Sequence, residues 1–342
     1  MPKEVKCIVW DLDNTIWDGT LLEDADVRLK PEMRELLKQF DERGILHSIA
    51  SKNNADDAMK KLSEFGIDHY FLYPQIAWDA KSYAITVIQQ QLNIGKDTIV
   101  FVDDQIFERE EVLSQHPEIE CIDAKMYLQL SSLERFNPSV ITEDTANRRL
   151  MYKADIDRKN QEEEFRGPQE EFMAGLDLRF IISKAEEKDL KRVEELTIRT
   201  NQLNATGVTY SYEELLHFSK AQDYDLFVCE LSDKFGSYGK IGIALVEKSP
   251  ETWCCKLLLM SCRVVSRGVG TVMLSHIMSA AKKNNVRLLA DFKQTDRNRM
   301  MYVTFKFANF YELRNDKNGN IQFGHDLEEI PGIPNYINVE II

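Results

Sequence analysis

The sequence predicts an α/β protein that consists of two successive α/β units. Short apolar segments alternate with amphipathic helical segments from residue 5 to about residue 122, and again from residue 178 to residue 307. Such alternation is typical of a sheet that is covered by helices. The length of 342 residues is also what two compact domains need.

In the first unit, apolar segments predict strands at 5–10, 45–50, 70–72, 98–102 and 120–122. Helical patterns lie between them at 31–41, 56–65, 82–92 and 108–114. This order predicts a parallel sheet with helices on both faces. Ligand sites in such sheets lie at the carboxyl ends of the strands, so the residues that follow each strand are the candidates for function.

The second unit has predicted strands at 178–182, 225–231, 240–247, 253–263 and 286–292, with a hairpin around 236–239. Its predicted helices lie at 188–200, 212–220, 270–283 and 298–307. Charged residues dominate the segment between the two units, which we interpret as a helical, solvated linker. The predicted domains are therefore 1–137 and 176–342, with the linker at 138–175.

The composition limits the class of partner. The formal net charge of −14 argues against nucleic acid or an anionic membrane, since both require concentrated Lys and Arg. No apolar run approaches the roughly 20 residues of a membrane span, and the N-terminus lacks the pattern of a signal peptide. We therefore expect a cytoplasmic protein whose six cysteines are reduced.

Acidic residues follow two of the predicted strands. Asp11 and Asp13 come directly after the first strand, and Asp103 and Asp104 follow the strand at 98–102. Carboxylates at neighbouring strand ends can share one Mg²⁺. One of the first pair can attack phosphorus while the other transfers protons. We therefore predict phosphoryl transfer, with Asp11 as the nucleophile, Asp13 as the acid/base, and all four carboxylates as the candidate metal site.

Donor groups for a phosphate occur in the same part of the pattern. Ser51 follows the second strand, Lys81 begins the third helix, and Thr15 completes an Asp-x-Asp-x-Thr sequence. A hydroxyl group and an ammonium group are suited to the equatorial oxygens of a phosphoryl group. A lone Asp-x-Asp occurs by chance on many surfaces, whereas these motifs appear in order at successive strand ends and helix starts.

The order Asp-x-Asp-x-Thr, Ser, Lys, Asp-Asp resembles the four motifs of the haloacid dehalogenase (HAD) superfamily. The resemblance implies a HAD-type Rossmannoid parallel sheet and Mg²⁺ as cofactor. It also implies that Asp13 binds the metal through its backbone carbonyl and that Asp104 lies outside the direct ligands.

A narrower resemblance covers almost the whole chain. Residues 9–19, 101–111, 199–204 and 258–270 are similar to the FkbH-like proteins. This likeness implies an enzyme of polyketide precursor supply that takes a glyceryl unit from 1,3-bisphosphoglycerate and removes phosphate. The glyceryl group would then be loaded onto the phosphopantetheine arm of an acyl carrier protein.

The second unit resembles the GNAT acyltransferases in its glycine loop. Arg267, Gly268 and Gly270 precede a predicted helix, where backbone N–H groups and the helix dipole favour an anion. Two departures argue against ordinary acetyl transfer from acetyl-CoA to an amine. Val265 stands where the GNAT pattern has Arg or Gln, and Phe305 stands where many of these enzymes have a Tyr.

Cys262 is the candidate for acyl transfer, because it lies at the predicted end of the strand before the glycine loop. We expect its thiolate to attack the acyl phosphate and to hold glyceryl as a thioester. Asn201 and Gln202 are candidates for binding the glyceryl hydroxyls. The alternative for Cys262 is a buried thiol without chemistry, and the alternative for Asn201 and Gln202 is an ordinary polar turn. For the whole chain, the alternative is a phosphatase of small metabolites whose GNAT-like module only binds a partner.

Overall fold

The computed structural model describes residues 3–24, 26–200 and 202–342, apart from the side chains of Cys262, Val265 and Ser266. The chain divides into two compact units, Met1–Lys153 and Ala154–Ile342. Each unit has its own sheet with flanking helices, which confirms the predicted fold class. The division falls inside the segment that the sequence predicts as a linker.

The described residues of the first unit form seven strands, of which five make up the main sheet. The strands are β1 (Cys7–Trp10), β2 (Trp17–Asp18), β3 (Arg28–Leu29), β4 (Leu46–Ser51), β5 (Gln75–Ile76), β6 (Ile99–Asp103) and β7 (Glu120–Asp123). The helices are α1 (Met33–Glu42), α2 (Ala55–Glu64), α3 (Lys81–Leu92), α4 (Ile106–Gln115) and α5 (Glu143–Ala146). The main sheet has the order β5-β4-β1-β6-β7, with every pair parallel.

The burial pattern explains these elements. All four residues of β1 are buried, as expected for a central strand that is covered on both faces. On α1 the buried residues are Met33, Leu36, Leu37 and Phe40, the spacing of one helical face. Because β1 is central, its carboxyl end lies between those of β4 and β6.

The predicted strand at 70–72 is wrong. Phe71 makes only an isolated bridge to His47, and the strand that joins the sheet is β5. Between them, Tyr73 has a positive φ of 51°, and Pro74 has no N–H to donate to a ladder. The chain therefore turns at Tyr73 before it can pair with β4.

The remaining helices and strands follow in chain order. The helices are α6 (Arg148–Glu164), α7 (Gln169–Ala174), α8 (Leu190–Arg199), α9 (Tyr212–Lys220), α10 (Val269–Lys283) and α11 (Arg299–Phe307). The strands are β8 (Leu178–Lys184), β9 (Tyr224–Asp233), β10 (Gly236–Lys248), β11 (Thr252–Met260), β12 (Arg287–Lys293), β13 (Tyr311–Asn315), β14 (Asn320–His325) and β15 (Ile337–Ile341).

The second unit has one eight-stranded sheet of order β13-β14-β12-β11-β10-β9-β8-β15. Among the described residues of this sheet, only the pairs β11 with β12 and β8 with β15 are parallel. Side chains of β11 alternate between two cores, since Leu258 and Met260 pack on one face of the sheet and Leu257 and Leu259 on the other. The strands after residue 307 were not predicted.

The parallel pair β11–β12 separates along its length. Its paired residues run from Thr252 with Arg287 to Cys255 with Ala290, and beyond them the two strands have no ladder. A parallel pair that opens in this way, with a helix between its strands and antiparallel strands on both sides, defines a GNAT-like fold. The gap between the strands is the natural candidate for a ligand.

The predicted linker is not simply solvated. Arg158 on α6 is 1% exposed, and its guanidinium group donates to both carboxylate oxygens of Asp233, at 2.6 and 2.9 Å. Asp155 accepts a further hydrogen bond from Arg158 at 2.7 Å. Part of this charged segment therefore forms a buried ion-pair network, which belongs to the second unit. Among the described residues, no helix is both long enough and apolar enough to cross a membrane.

Candidate active site

The carboxyl ends of β1 and β6 bring acidic residues together in the first unit. Trp10 pairs with Val102 in the parallel ladder, and the Asp11 N–H donates to the Val102 carbonyl at 2.9 Å. Asp103, the last residue of β6, therefore lies beside Asp11, although the two are far apart in sequence. The sheet topology alone fixes this juxtaposition.

Asp11, Asp103 and Asp104 form a group that could hold a metal ion. Each offers one carboxylate oxygen, and these three oxygens lie within 4.8 Å of one another. The Oδ1 atom of Asp104 is buried and has no hydrogen-bond partner in the described part of the chain. Oxygen ligands and an unpartnered carboxylate oxygen fit a hard divalent cation such as Mg²⁺. The geometry thus includes the carboxylate of Asp104, which the sequence resemblance had placed outside the direct ligands.

The electrostatics of this group also favour a cation. Burial, together with the negative charge of Asp11, raises the pKa of Asp103 to about 6. The same two causes raise the pKa of Asp104. A positive charge among the three carboxylates would remove the repulsion between them.

Lys81 supplies one positive charge from the first residue of α3. Its ammonium group forms an ion pair with Asp11, lies 3.2 Å from Asp103 Oδ2, and donates to the Ala50 carbonyl at 2.8 Å. The side chain is only 2% exposed. Burial opposes its charge, but the charges of Asp11 and Asp103 outweigh burial and raise the pKa of Lys81.

The carboxylate of Asp13 is not one of the three grouped carboxylates. It accepts hydrogen bonds from the Trp17 indole at 2.8 Å, the Leu21 N–H at 3.0 Å and the Asn53 amide at 3.0 Å. These three bonds engage both oxygens of the Asp13 side chain. Metal binding through its backbone carbonyl stays a prediction.

The two predicted hydroxyl donors lie in the same part of the unit. Ser51 ends β4, is 3% exposed, and lines a small pocket together with Lys81. Thr15 is fully buried, and its hydroxyl has no partner among the described residues. The role of both residues in phosphate binding stays a prediction.

Sequence reasoning missed Asn53 and Trp17 as partners of Asp13. Asn53 is 2% exposed and Trp17 is fully buried. The signal for Asn53 was present in the sequence, because it stands two residues after Ser51 at the same strand end. Trp17 gave no such signal, since its large apolar ring predicts a core residue rather than a hydrogen-bond donor.

The glycine loop of the second unit only partly matches its prediction. Gly268 has a φ of +75° and directly precedes α10, so glycine is required at this turn. Arg267, however, is buried, and its guanidinium group contacts Met173 Sδ at 3.3 Å and Glu162 at 3.6 Å. Ligand binding by Arg267 would require the side chain to leave these partners.

The structure describes the other predicted residues of the second unit only in part. Strand β11 ends at Met260, so Cys262 begins a short helical turn, Cys262–Arg267, rather than ending the strand. The side chain of Cys262 lies outside the described part of the structure, as does all of Asn201. Gln202 is exposed.

The segment that follows Gln202 occupies the gap between β11 and β12. Ala205 N–H donates to the Leu258 carbonyl of β11 at 2.9 Å, and the Lys293 N–H of β12 donates to the Ala205 carbonyl at 2.9 Å. The buried amide of Asn298 donates to the backbone carbonyls of Asn204 at 3.0 Å and Lys293 at 2.9 Å. The gap is therefore filled by the chain itself.

A pocket of about 80 Å³ lies beside the glycine loop. It is lined by Leu203, Met260, Val264, Gly268, Val269, Gly270, Thr271, Met300, Met301 and Thr304. Phe305 does not reach this pocket, because it is fully buried and stacks on Phe323 with ring centroids 5.2 Å apart. No Tyr-like hydroxyl is present at that position.

The parallel sheet of the first unit gathers three carboxylates and a lysine at its carboxyl edge, and part of this unit is similar to a known family. The family of haloacid dehalogenase-like hydrolases matches residues 19–111. That match includes Ser51, Lys81, Asp103 and Asp104 but begins after Asp11.

Individual phosphatases are also similar in sequence to part of this chain. Magnesium-dependent phosphatase 1 of Homo sapiens is 29% identical over 124 residues, which cover 31% of this chain and 70% of that protein. The crystal structure of the N-terminal part of BF1531 from Bacteroides fragilis contains a phosphatase domain complexed with Mg. It is 31% identical with a TM-score of 0.34, and the match covers 37% of this chain but only 39% of that one.

The second unit is similar to solved acetyltransferases. The ribosomal-protein-S18-alanine N-acetyltransferase from Escherichia coli is 14% identical with a TM-score of 0.34, over 44% of this chain and 96% of that chain.

Proposed function

We propose that the first unit is a Mg²⁺-dependent phosphatase that uses Asp11 as its nucleophile. The observation that carries this proposal is the group of three carboxylate oxygens within 4.8 Å of one another, beside the buried ammonium group of Lys81. The human relative is a magnesium-dependent phosphatase, and the phosphatase domain of the Bacteroides protein was crystallised with Mg; both support the choice of metal. Asp11, Asp103 and Asp104 would hold the ion, which would neutralise negative charge on the phosphoryl group.

Side chains of the first unit would supply the nucleophile, the acid/base and the groups that bind the phosphoryl oxygens. An oxygen of Asp11 bonds to phosphorus, and the bond from phosphorus to the leaving oxygen breaks. Asp13 gives the leaving oxygen a proton and then takes one from the water that hydrolyses the phosphoaspartyl group. Lys81, with Ser51 and Thr15, stabilises the charge on the equatorial oxygens.

The substrate and the role of the second unit form the finer part of the proposal. The FkbH-like runs of sequence and the GNAT-like fold support an enzyme that removes phosphate from a glyceryl unit derived from 1,3-bisphosphoglycerate. Cys262, which stands in the turn before α10, would hold glyceryl as a thioester and pass it to the thiol of an acyl carrier protein. Thioester exchange balances, because one C–S bond forms as the other breaks and the proton of the incoming thiol goes to the departing Cys262 thiolate.

A second candidate is a plain small-metabolite phosphatase with a GNAT-like module that binds a partner without catalysis. Two observations favour it. Arg267 is buried against Glu162 rather than facing a ligand, and the gap between β11 and β12 is filled by the segment around Ala205.

Intact-protein mass spectrometry separates the two candidates. After incubation with 1,3-bisphosphoglycerate generated in situ, the transferase account predicts a glyceryl-containing adduct on the wild type and none on Cys262→Ala. Cys254→Ala is the matched control, since Cys254 is half-buried and its burial raises its pKa to about 12, so it should keep the adduct. Phosphate release by a wild type that never carries an acyl group would support the second candidate instead.

A further inference from the structure

The carboxylate of Asp13 is held by three donors of different kinds. Its Oδ1 atom accepts from the Trp17 indole N–H at 2.8 Å and from the Leu21 backbone N–H at 3.0 Å. Its Oδ2 atom accepts from the Asn53 side-chain amide at 3.0 Å. The orientation of the carboxylate is therefore fixed on both of its edges.

The donor role of Asn53 follows from its other hydrogen bond. The Asn54 backbone N–H donates to Asn53 Oδ1 at 2.9 Å, so the oxygen of this amide must face Asn54 and its NH₂ group must face Asp13. Asn53 is 2% exposed, so little water reaches it to compete for these bonds. The amide is thus oriented by the backbone and in turn orients Asp13.

The two carboxylate oxygens consequently differ in what they can do. Each carboxylate oxygen has about two lone-pair sites, and both sites of Oδ1 are used by donors that cannot accept a proton. Only Oδ2 keeps a free site. A proton on Asp13 must therefore sit on Oδ2.

We propose that Asn53 and Trp17 are positioning residues that make Oδ2 of Asp13 the single atom that exchanges protons with the substrate. This inference depends on the proposed acid/base role of Asp13. As the bond from phosphorus to the leaving oxygen breaks, its electron pair stays on that oxygen, which takes the proton from Oδ2. In the second step Oδ2 takes the proton of the attacking water, whose oxygen bonds to phosphorus as the Asp11–phosphorus bond breaks.

A positioned acid matters most when the leaving oxygen is strongly basic. An alkyl phosphate such as glycerol 1-phosphate must have its leaving alkoxide protonated, whereas p-nitrophenolate leaves without that help. The ratio kcat/KM reports the first step, in which phosphorus moves to Asp11. The difference between the two substrates in kcat/KM is therefore a direct readout of proton delivery, which a general loss of stability would not change.

The experiment measures kcat/KM for both substrates in the wild type, Asn53→Ala and Trp17→Phe with Mg²⁺ present. Since general acid catalysis contributes about 10²–10⁴-fold, we expect the loss with glycerol 1-phosphate to exceed the loss with p-nitrophenyl phosphate by about 10-fold or more. Asn54→Ala is the control, because Asn54 caps α2 through a bond from the Asp57 N–H at 3.1 Å and does not contact Asp13. It should lower both rates equally or not at all.

The outcomes separate this inference from the proposed function. Equal losses for the two substrates in Asn53→Ala and Trp17→Phe, or no loss in either, would overturn the positioning role and leave the phosphatase intact. A wild type that hydrolyses neither ester, or an Asp11→Asn variant that hydrolyses both at the wild-type rate, would overturn the phosphatase itself. Should Trp17→Phe fail to fold, Asn53→Ala alone still decides.

Discussion

The candidate sites of the two units differ in how completely the fold assembles them. In the first unit, β1 and β6 are adjacent and parallel, so Asp11 and Asp103 meet at one edge of the sheet. In the second unit, Arg267 turns into the core and the segment around Ala205 fills the gap between β11 and β12. The fold brings the candidate groups of the first site together, whereas in the second site Arg267 would have to leave its partners to reach a ligand.

The difference between the two sites shows when the position of a residue in the sequence determines where its side chain lies. A residue at the carboxyl end of a parallel strand has its place fixed by the sheet, because the strand directions and the register leave few alternatives. A long side chain in a turn has several rotamers, and its direction depends on which partners lie nearby. The partners of Arg267, Met173 and Glu162, are both far away in the sequence.

The largest effect should follow removal of the nucleophile. Asp11→Asn keeps the shape of the side chain but takes away the attacking oxygen's charge, so we expect phosphate release from p-nitrophenyl phosphate to fall by about 10³-fold or more. Asp56→Asn, on the exposed first turn of α2, is the control for loss of a negative charge. Similar activity in both variants would show that the carboxylate group at this edge is not a phosphatase site.

Removal of Lys81 should reduce stability as well as activity. In Lys81→Met the buried carboxylates of Asp11 and Asp103 lose their positive partner, which costs about 3–5 kcal/mol when a buried charge is left unpaired. Urea unfolding without metal should show this loss, and added Mg²⁺ should recover part of it, because an ion that binds only the folded state stabilises it.

The exposed Lys60 on α2 provides the matched control, since Lys60→Met should change the free energy of unfolding little. A Lys81→Met protein whose stability does not respond to Mg²⁺ would contradict the assignment of a cation site beside Lys81.

A smaller loss of stability should follow when the segment in the gap between β11 and β12 loses a hydrogen-bond partner. Asn298→Ala removes a buried amide that donates to the carbonyls of Asn204 and Lys293. Each buried acceptor left without a partner costs about 1–3 kcal/mol, so we expect a loss of about 2–4 kcal/mol in the free energy of unfolding, measured with urea. Asn318→Ala, at an exposed position, should cost almost nothing, and an equal cost in the two variants would contradict the anchoring role of Asn298.

The smallest effect concerns pH and His47, which lies in the core of the first unit. Its Nδ1 accepts from the Trp10 indole at 3.1 Å, and its Nε2 lies 3.0 Å from the Leu37 carbonyl. Burial lowers its pKa to about 4. Because the unfolded state then binds the proton more readily, stability should fall as the pH drops from about 6.5 towards 4, by about 1.4 kcal/mol per pH unit.

His47→Gln isolates this contribution, since the amide can make the same two hydrogen bonds without titrating. Between pH 6.5 and pH 5, the wild type should lose about 2 kcal/mol more than the variant. Parallel loss in the two proteins would show that His47 is not the group responsible.

Some features were predictable from the sequence because periodicity and topology determine them. The alternation of strands and helices predicted a sheet in each unit, without the strands after residue 307, and the strand ends predicted that Asp11 would lie near Asp103 and Asp104. The strand at 70–72 was wrong because the positive φ of Tyr73 is not visible in an apolar pattern. The buried pair of Arg158 and Asp233 was missed because a charge in sequence does not reveal its partner.

Binding of one divalent cation beside Asp11 is the central claim, and a titration with Mn²⁺ followed by electron paramagnetic resonance tests it most directly. The wild type should bind one Mn²⁺ ion per chain, Mg²⁺ should displace it, and Asp103→Asn and Asp104→Asn should each weaken binding at least 10-fold. Undiminished binding of Mn²⁺ in both variants would contradict the claim.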